Sequence, residues 1–164
     1  MSDFLRRNSS VTVYLPASFP QDFKEGVRST GARVEEISEA RELIPNVYTT
    51  GEMGTLIKEQ SLVLSTIKGL VVITGCAHPG IVNIVQRAKQ EVGGVPFLVM
   101  GGFHLIGKSE EEIKQIISDL KGLGVVKVGP CHCSGDRARY LFKEAYGKDY
   151  LELGVGRVLT IEVL

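Results

Sequence analysis

Each of the three histidines in this chain closes the same kind of phrase: Gly75-Cys76-Ala77-His78, Gly101-Gly102-Phe103-His104 and Gly129-Pro130-Cys131-His132. Each phrase follows an apolar run (Leu70 to Thr74, Val95 to Met100, Val125 to Val128), and a stretch of helical character follows each phrase. Apolar runs that do not alternate read as strands buried on both faces, the pattern of a parallel sheet. In such a sheet the loops leaving the strand C-termini gather at one edge, where α/β folds bind ligands. Three successive units of strand, Gly-x-x-His and helix therefore predict three imidazoles on one rim.

The remaining elements follow from period and punctuation. Met1 to Ser10 is polar and without period, and reads as a tail before a single domain over residues 11–164. Val11 to Leu15 and Arg33 to Ile37 read as strands, with a short helix over Asp22 to Ser29 between them. Glu39 to Leu43 reads as a polar connection, and Asn46 to Thr50 as a short alternating segment. Leu62 to Thr66 and Leu70 to Thr74, joined by Ile67-Lys68-Gly69, form a hairpin signal. Pro79 suits the first position of a helix, which makes His78 its N-cap. Ile81, Ile84, Val85, Ala88 and Val92 then make the apolar stripe, ended by Gly93-Gly94. Ser109 and Glu112 form a capping-box pair ahead of Ile113, Ile116, Ile117 and Leu120. Asp136 caps a last helix with the stripe Ala138, Leu141, Phe142 and Ala145, and Val158 to Val163 alternates as a terminal edge strand. Hairpins followed by alternating strands and helices give an α/β fold with a mixed sheet and helices on one face.

Composition bounds function mainly by exclusion. Nineteen Lys and Arg balance nineteen Asp and Glu, so the formal charge is zero and the basic face of a nucleic-acid binder is not expected. No apolar stretch reaches bilayer length, and no signal-peptide apolar region opens the chain, so a cytoplasmic protein without membrane contact is expected. Three cysteines in such a chain read as thiols or ligands and not as a disulfide framework. Dinucleotide-binding and phosphate-loop glycine motifs are missing, as is the Gly-x-Ser-x-Gly elbow of serine hydrolases.

Imidazole is the commonest metal ligand and suits zinc, iron or manganese. The glycine opening each phrase would let its loop turn sharply. Three unrelated loop or capping histidines are the alternative, and Phe103, Leu105 and Ile106 would hold His104 as a partly buried side chain. In an extended chain Cys131 and Cys133 point away from His132, so the three join one ion only if the backbone turns there. Small buried hydrophobes are the plainer reading of Cys131 and Cys133. Cys76 lies beside the rim and can serve as ligand or nucleophile. Asn83 lies one turn into the helix after His78. Ser134-Gly135-Asp136-Arg137 opens a helix whose free N–H groups, with Arg137, suit an anion, or which Asp136 merely caps. Glu52 and Glu59-Gln60 read as solvated side chains with a possible acid–base use.

The ordered motifs resemble one branch of the metallo-β-lactamase superfamily, the branch related to the dihydropterin synthase of methanopterin biosynthesis. They are Thr74-Gly-Cys-Ala-His78-Pro-Gly-Ile-Val-Asn83, then Gly101-Gly-Phe-His104-Leu, then Gly129-Pro-Cys-His132-Cys-Ser-Gly-Asp136. Tyr48-Thr-Thr-Gly51-Glu52 and Glu59-Gln60-Ser61-Leu62 fit the same branch. Only the second half of the family fold is covered, because the His-x-His-x-Asp-His motif of the first half is absent from this sequence. The resemblance implies half of an αββα sandwich, with His78 and His132 as ligands of a divalent metal (zinc, manganese or iron). His104 would act as the catalytic group, binding the metal or polarising substrate. Cys76, Asn83, Ser134 and Arg137 would contact a small-molecule substrate or anion. It implies a metal-dependent hydrolase of esters or phosphoesters, or pterin-synthase-like chemistry. A homo-oligomer or a partner chain would supply the missing half. Two other readings stay open: a non-catalytic metal- or anion-binding half-domain working as a subunit, and a cysteine-dependent redox or ligand-binding α/β protein.

Overall fold

A computed structural model describes residues 2–160. The elements run α1 (Ser2–Arg7), β1 (Thr12–Pro16), α2 (Gln21–Arg28), β2 (Arg33–Ile37), β3 (Arg41–Ile44), β4 (Val47–Thr49), β5 (Leu62–Thr66), β6 (Gly69–Thr74), α3 (Ile81–Val92), β7 (Pro96–Gly102), α4 (Glu110–Gly122), β8 (Lys127–Cys131) and α5 (Asp136–Tyr146). β1 and β2 pair in parallel as a separate two-stranded sheet. The main sheet has the order β3-β4-β5-β6-β7-β8, antiparallel up to β6 and parallel from β6 to β8.

The register explains how a chain of ordinary hydrophobicity builds a dry face. Val63, Val72, Val99 and Val128 are paired across neighbouring strands and form one row, each at most 1% exposed. The stripes of α3, α4 and α5 close onto this row through Ile81, Ile84, Val85, Ala88, Ile113, Ile117, Leu120, Ala138 and Phe142, all in one buried cluster. Because side chains alternate along a strand, Val71 and Leu98 belong to the opposite face; they too are buried. Ile73 and Met100 on that face are only half-buried. There α1 and β1 face β5 and β6 across a cavity of about 680 Å³ bounded by Phe4, Val13, Leu62 and Ile73.

Several expectations need correction. The N-terminal residues are not a shapeless tail: Ser2–Arg7 is helical, and Leu5 is buried against Val27 and Ala32. Asp3 in its first turn and Arg6-Arg7 in its last suit the helix dipole. Arg41–Ile44 is not a connection but an edge strand, mostly exposed, whose charges discourage pairing with another chain. His78 is not an N-cap; it sits in a turn, and Gly80 holds the cap position of α3. Asp136 is the first residue of α5, after Gly135, and makes no capping bond. The third strand of the triplet starts at Lys127 and not at Val125. The expected strand from Val158 to Val163 finds no regular structure over residues 158–160, and its remainder lies outside the described residues. The capping box of Ser109 and Glu112 forms with both of its bonds.

Tyr146 closes α5 with its ring stacked on Phe142 at 6.1 Å and beneath the Lys121 ammonium at 5.2 Å. Its hydroxyl is buried and has no hydrogen-bond partner among the described residues. Burial pushes its pKa up to about 12. The folded value lies above the ordinary tyrosine value of about 10, so the native state favours the neutral phenol. Stability from this group is complete below that ordinary value and is lost as pH rises through the folded one. Tyr146→Phe should raise stability at neutral pH by about 1 kcal/mol and flatten the alkaline decline, as urea denaturation at stepped pH would measure.

Candidate functional site

β6, β7 and β8 end at one edge, with Thr74 opposite Gly101 and Gly102 opposite Cys131. The next residues deliver His78, His104 and His132 to that edge. Among the described residues, four other than glycine have positive φ, and three lie in these loops: Ala77 (63°), His104 (50°) and His132 (52°). Each such conformation costs roughly 1–2 kcal/mol, and strain of this kind clusters at functional sites. The middle phrase shows why glycine is needed. Gly101 has φ 124°, and a Cβ there would collide with the Thr74 carbonyl oxygen. Gly102 donates its N–H to the Gly75 carbonyl at 2.9 Å, and a Cβ on it would strike that same oxygen. The expectation that every phrase needs its glycine holds only here. Gly75 faces open space and Gly129 meets only the flexible Leu153 side chain and Met100.

The His78 and His104 rings lie 4.4 Å apart between centroids, tilted by 52°. His104 is exposed between the buried Phe103 and Leu105, so it is not a buried, internally satisfied histidine. Glu59 grips His78 twice: one carboxylate oxygen accepts the His78 backbone N–H at 3.1 Å, and the other makes a short bond with Nδ1. A carboxylate on Nδ1 holds the proton there and leaves Nε2 as the free donor, the arrangement found behind metal-binding histidines. Glu59 is itself fixed by a two-way backbone bridge with Met53, at 2.8 and 2.9 Å. Asn83 lines the cavity beside His78 and donates its amide to the Pro79 carbonyl at 2.8 Å.

Two sets of three metal-capable donors meet at this edge: Glu59 with Cys76 and His78, and Cys76 with His132 and Cys133, each set within 4.8 Å of one another. The positive φ of His132 supplies the turn that the sequence reading required, and it leaves Cys131 outside. Burial pushes the Cys76 thiol up, helped by its hydrogen bond with Cys133 and by the charges of Cys133 and Glu59. Burial also raises Cys131 against the pull of Arg139. Carboxylate, imidazole and sulfur donors together fit a divalent ion of the zinc or iron class.

The expected anion site is not assembled. Ser134 is fully buried: its hydroxyl donates to the Cys131 carbonyl at 2.7 Å and accepts the Phe103 N–H at 3.1 Å. It ties the His104 loop to the His132 loop. Arg137 is held by Glu110 through both Nε and a terminal nitrogen and packs over Tyr140 at 5.2 Å. The expectation of solvated acids also fails. Glu52 accepts the Ser18 N–H at 2.6 Å and pairs with Lys58, and Ser18 with Lys58 holds its carboxyl below the usual range. Gln60 bonds Thr49 and the Tyr14 carbonyl. Sequence reasoning gave Glu59 at most an acid–base use and admitted Cys133 to the site only if the backbone turned at His132; the Cys-x-Cys spacing marks Cys133, whereas no local pattern marks the contact of Glu59 with His78.

No family model matches the chain. It is 30% identical over 173 residues to the 7,8-dihydropterin-6-methyl-4-(beta-D-ribofuranosyl)-aminobenzene-5'-phosphate synthase of Methanocaldococcus jannaschii, across 88% of this chain and 58% of the synthase. An uncharacterized protein of the same organism is 34% identical over 93 residues, or 56% of this chain and 34% of that protein. Among solved structures, Tm1679, a metal-dependent hydrolase of the beta-lactamase superfamily, superposes with TM-score 0.80 at 30% identity, over 92% of this chain and 71% of that one. The isothiocyanate hydrolase from Delia radicum gut bacteria shares the fold at TM-score 0.56 and 12% identity, over 93% of this chain and 68% of its own. The chain thus spans 58% of the length of the synthase and 34% of the uncharacterized protein.

Proposed function

The chain belongs to the metallo-β-lactamase superfamily, and from this premise we propose that it is the C-terminal part of a metal-dependent hydrolase. The observation that carries the reading is the delivery of three loop imidazoles to one sheet edge, where His78 packs against His104 with Glu59 on its Nδ1, and His132 joins Cys76 and Cys133. His78 and His132, which fall in two donor sets that share Cys76, would hold a divalent metal (zinc, manganese or iron), which when bound supplies Lewis-acid polarisation of an ester or phosphoester. His104, exposed and against the His78 ring, is the group placed to contact substrate. Asn83 borders the cavity of about 530 Å³ beside His78, where a small molecule would enter. Resemblance to a synthase named for a phosphorylated product favours a phosphate-bearing, pterin-like substrate. Ser134 is hydrogen-bonded within the fold and Arg137 is paired with Glu110, so the reading assigns neither of them a substrate contact.

The His-x-His-x-Asp-His motif of the family is absent from this sequence, so ligands from outside it would complete the centre. Two protein imidazoles fall short of the three protein ligands usual for a catalytic zinc. No described helix is long and apolar enough to cross a membrane.

The test is Mn²⁺ binding and hydrolysis of bis(p-nitrophenyl) phosphate by the purified chain. His78→Ala should weaken Mn²⁺ binding at least tenfold, and His104→Ala should lower turnover with binding kept. Metal-independent hydrolysis, or Mn²⁺ affinity unchanged in His78→Ala, would overturn the reading. Stoichiometric metal without turnover would favour a metal-binding half-domain that acts as a subunit.

A further inference from the structure

Cys133 is left without a role by the hydrolase reading, although its sulfur lies inside the rim. We propose that Cys76, Cys133 and His132 form a thiolate-rich site for a zinc-class divalent ion, built from this chain alone. Their donor atoms already lie within 4.8 Å of one another. Donors around a tetrahedral zinc, at about 2.0–2.3 Å from it, stand roughly 3.3–3.8 Å apart, so closing the set needs only a movement of about 1 Å. Soft sulfur ligands select zinc or cobalt over magnesium, calcium or manganese.

Two features of the fold bring this set together. The first is Gly102. A Cβ at that position would lie 2.8 Å from Cys133 Sγ and 3.2 Å from Cys76 Cα, so a residue without a side chain is what lets the β6 and β8 loops close on each other. The second is the left-handed turn at His132, which breaks the extended alternation and lets its imidazole join the Cys133 sulfur. Cys131 stays out of the donor set and lines, with His132, Met100 and Arg139, the cavity beside it. The contacts holding the Cys133 thiol are weak sulfur hydrogen bonds, a 3.4 Å approach to the Cys76 carbonyl and one with the Cys76 thiol, which an incoming ion would displace. Binding takes both sulfurs as thiolates and releases their two protons to solvent. His132 is common to this set and to the proposed hydrolytic centre, and the thiol set rests on that reading only through this residue.

Titrating the full chain with Co²⁺ under reducing conditions should give a near-ultraviolet sulfur-to-metal charge-transfer band, saturating at one ion per chain and displaced by Zn²⁺. Cys76→Ser and Cys133→Ser should each weaken that binding at least tenfold, while Cys131→Ser leaves it within twofold. If either serine variant loses its native circular dichroism, the alanine variant gives the same reading. The absence of a band in the native chain overturns the proposal. So does a band that persists in the Cys76→Ser/Cys133→Ser double variant, or one equally lost in Cys131→Ser. A saturable cobalt band in a chain that hydrolyses nothing would retain the thiol site and reject the catalytic reading; hydrolysis without the band would do the reverse.

Discussion

Phe142→Ala should destabilise the protein by about 3–5 kcal/mol and loosen the rim together with the core. Phe142 is fully buried on the inner face of α5, with its ring 5.5 Å from Phe103 in a T-shaped contact and 6.1 Å from Tyr146 in a stacked one. Truncation removes the largest side chain joining α5 to the loop after β7 and leaves a cavity between them. Such a cavity lacks the dispersion contacts that the surrounding atoms had, and rigid strands on one side limit collapse. Phe103 immediately precedes His104, and its N–H is held by Ser134 beside His132. The loss should therefore reach both loops. Guanidinium unfolding measures the stability term. Faster amide exchange at Phe103 and His104 than at Val72 in the sheet would show the local one. A loss below 1 kcal/mol would mean that α5 does not pack as described.

The repeated unit of strand, Gly-x-x-His and helix was legible because two periods meet at it. An unbroken apolar run such as Leu70 to Ile73 can only be buried on both faces, and the stripe from Ile81 to Ala88 can only be a helix laid on one of them. Their junction locates the rim without knowledge of any other residue. Short elements with little apolar content were not legible. α1 is anchored by Leu5, and β3 exists because the backbone of β4 pairs with it, not because its side chains prefer a strand. Polar pairing across the chain was likewise hidden. Arg137 looked free for an anion until Glu110, brought alongside by the packing of α4 against α5, neutralised it. Ser134 looked like an exposed helix start, yet the tight turn at His132 buries it. The most consequential omission is Glu59. It reaches His78 only because the segment after β4 bridges back on itself at Met53, and short-range pattern carries no trace of that.

Glu59→Gln tests whether that contact matters to the metal centre, and a loss of about 10–100-fold in Mn²⁺ or Zn²⁺ affinity is expected. Glutamine has the same shape and keeps an oxygen able to accept the His78 N–H, so the turn from Ala77 to Gly80 should stay in place. The backbone bridge between Met53 and Glu59 does not involve the side chain and is untouched. What changes is the charge facing Nδ1. A carboxylate fixes the proton on that nitrogen and raises the basicity of Nε2. A neutral amide does neither with the same strength, and its NH₂ can present a donor to Nδ1 and favour the other tautomer. The variant should thus fold normally, with an unfolding midpoint close to that of the native chain, and still bind metal poorly. Nitrogen NMR of the His78 ring supplies the readout that a merely structural role would not move: protonated Nδ1 in the native chain, and a mixture of tautomers in Glu59→Gln. Glu59→Asp, which keeps the charge but shortens the reach, should recover part of the affinity. If Glu59→Gln binds metal within twofold of the native chain while His78→Ala does not, Glu59 serves only to hold the turn, and the carboxylate has no part in presenting His78 to a metal.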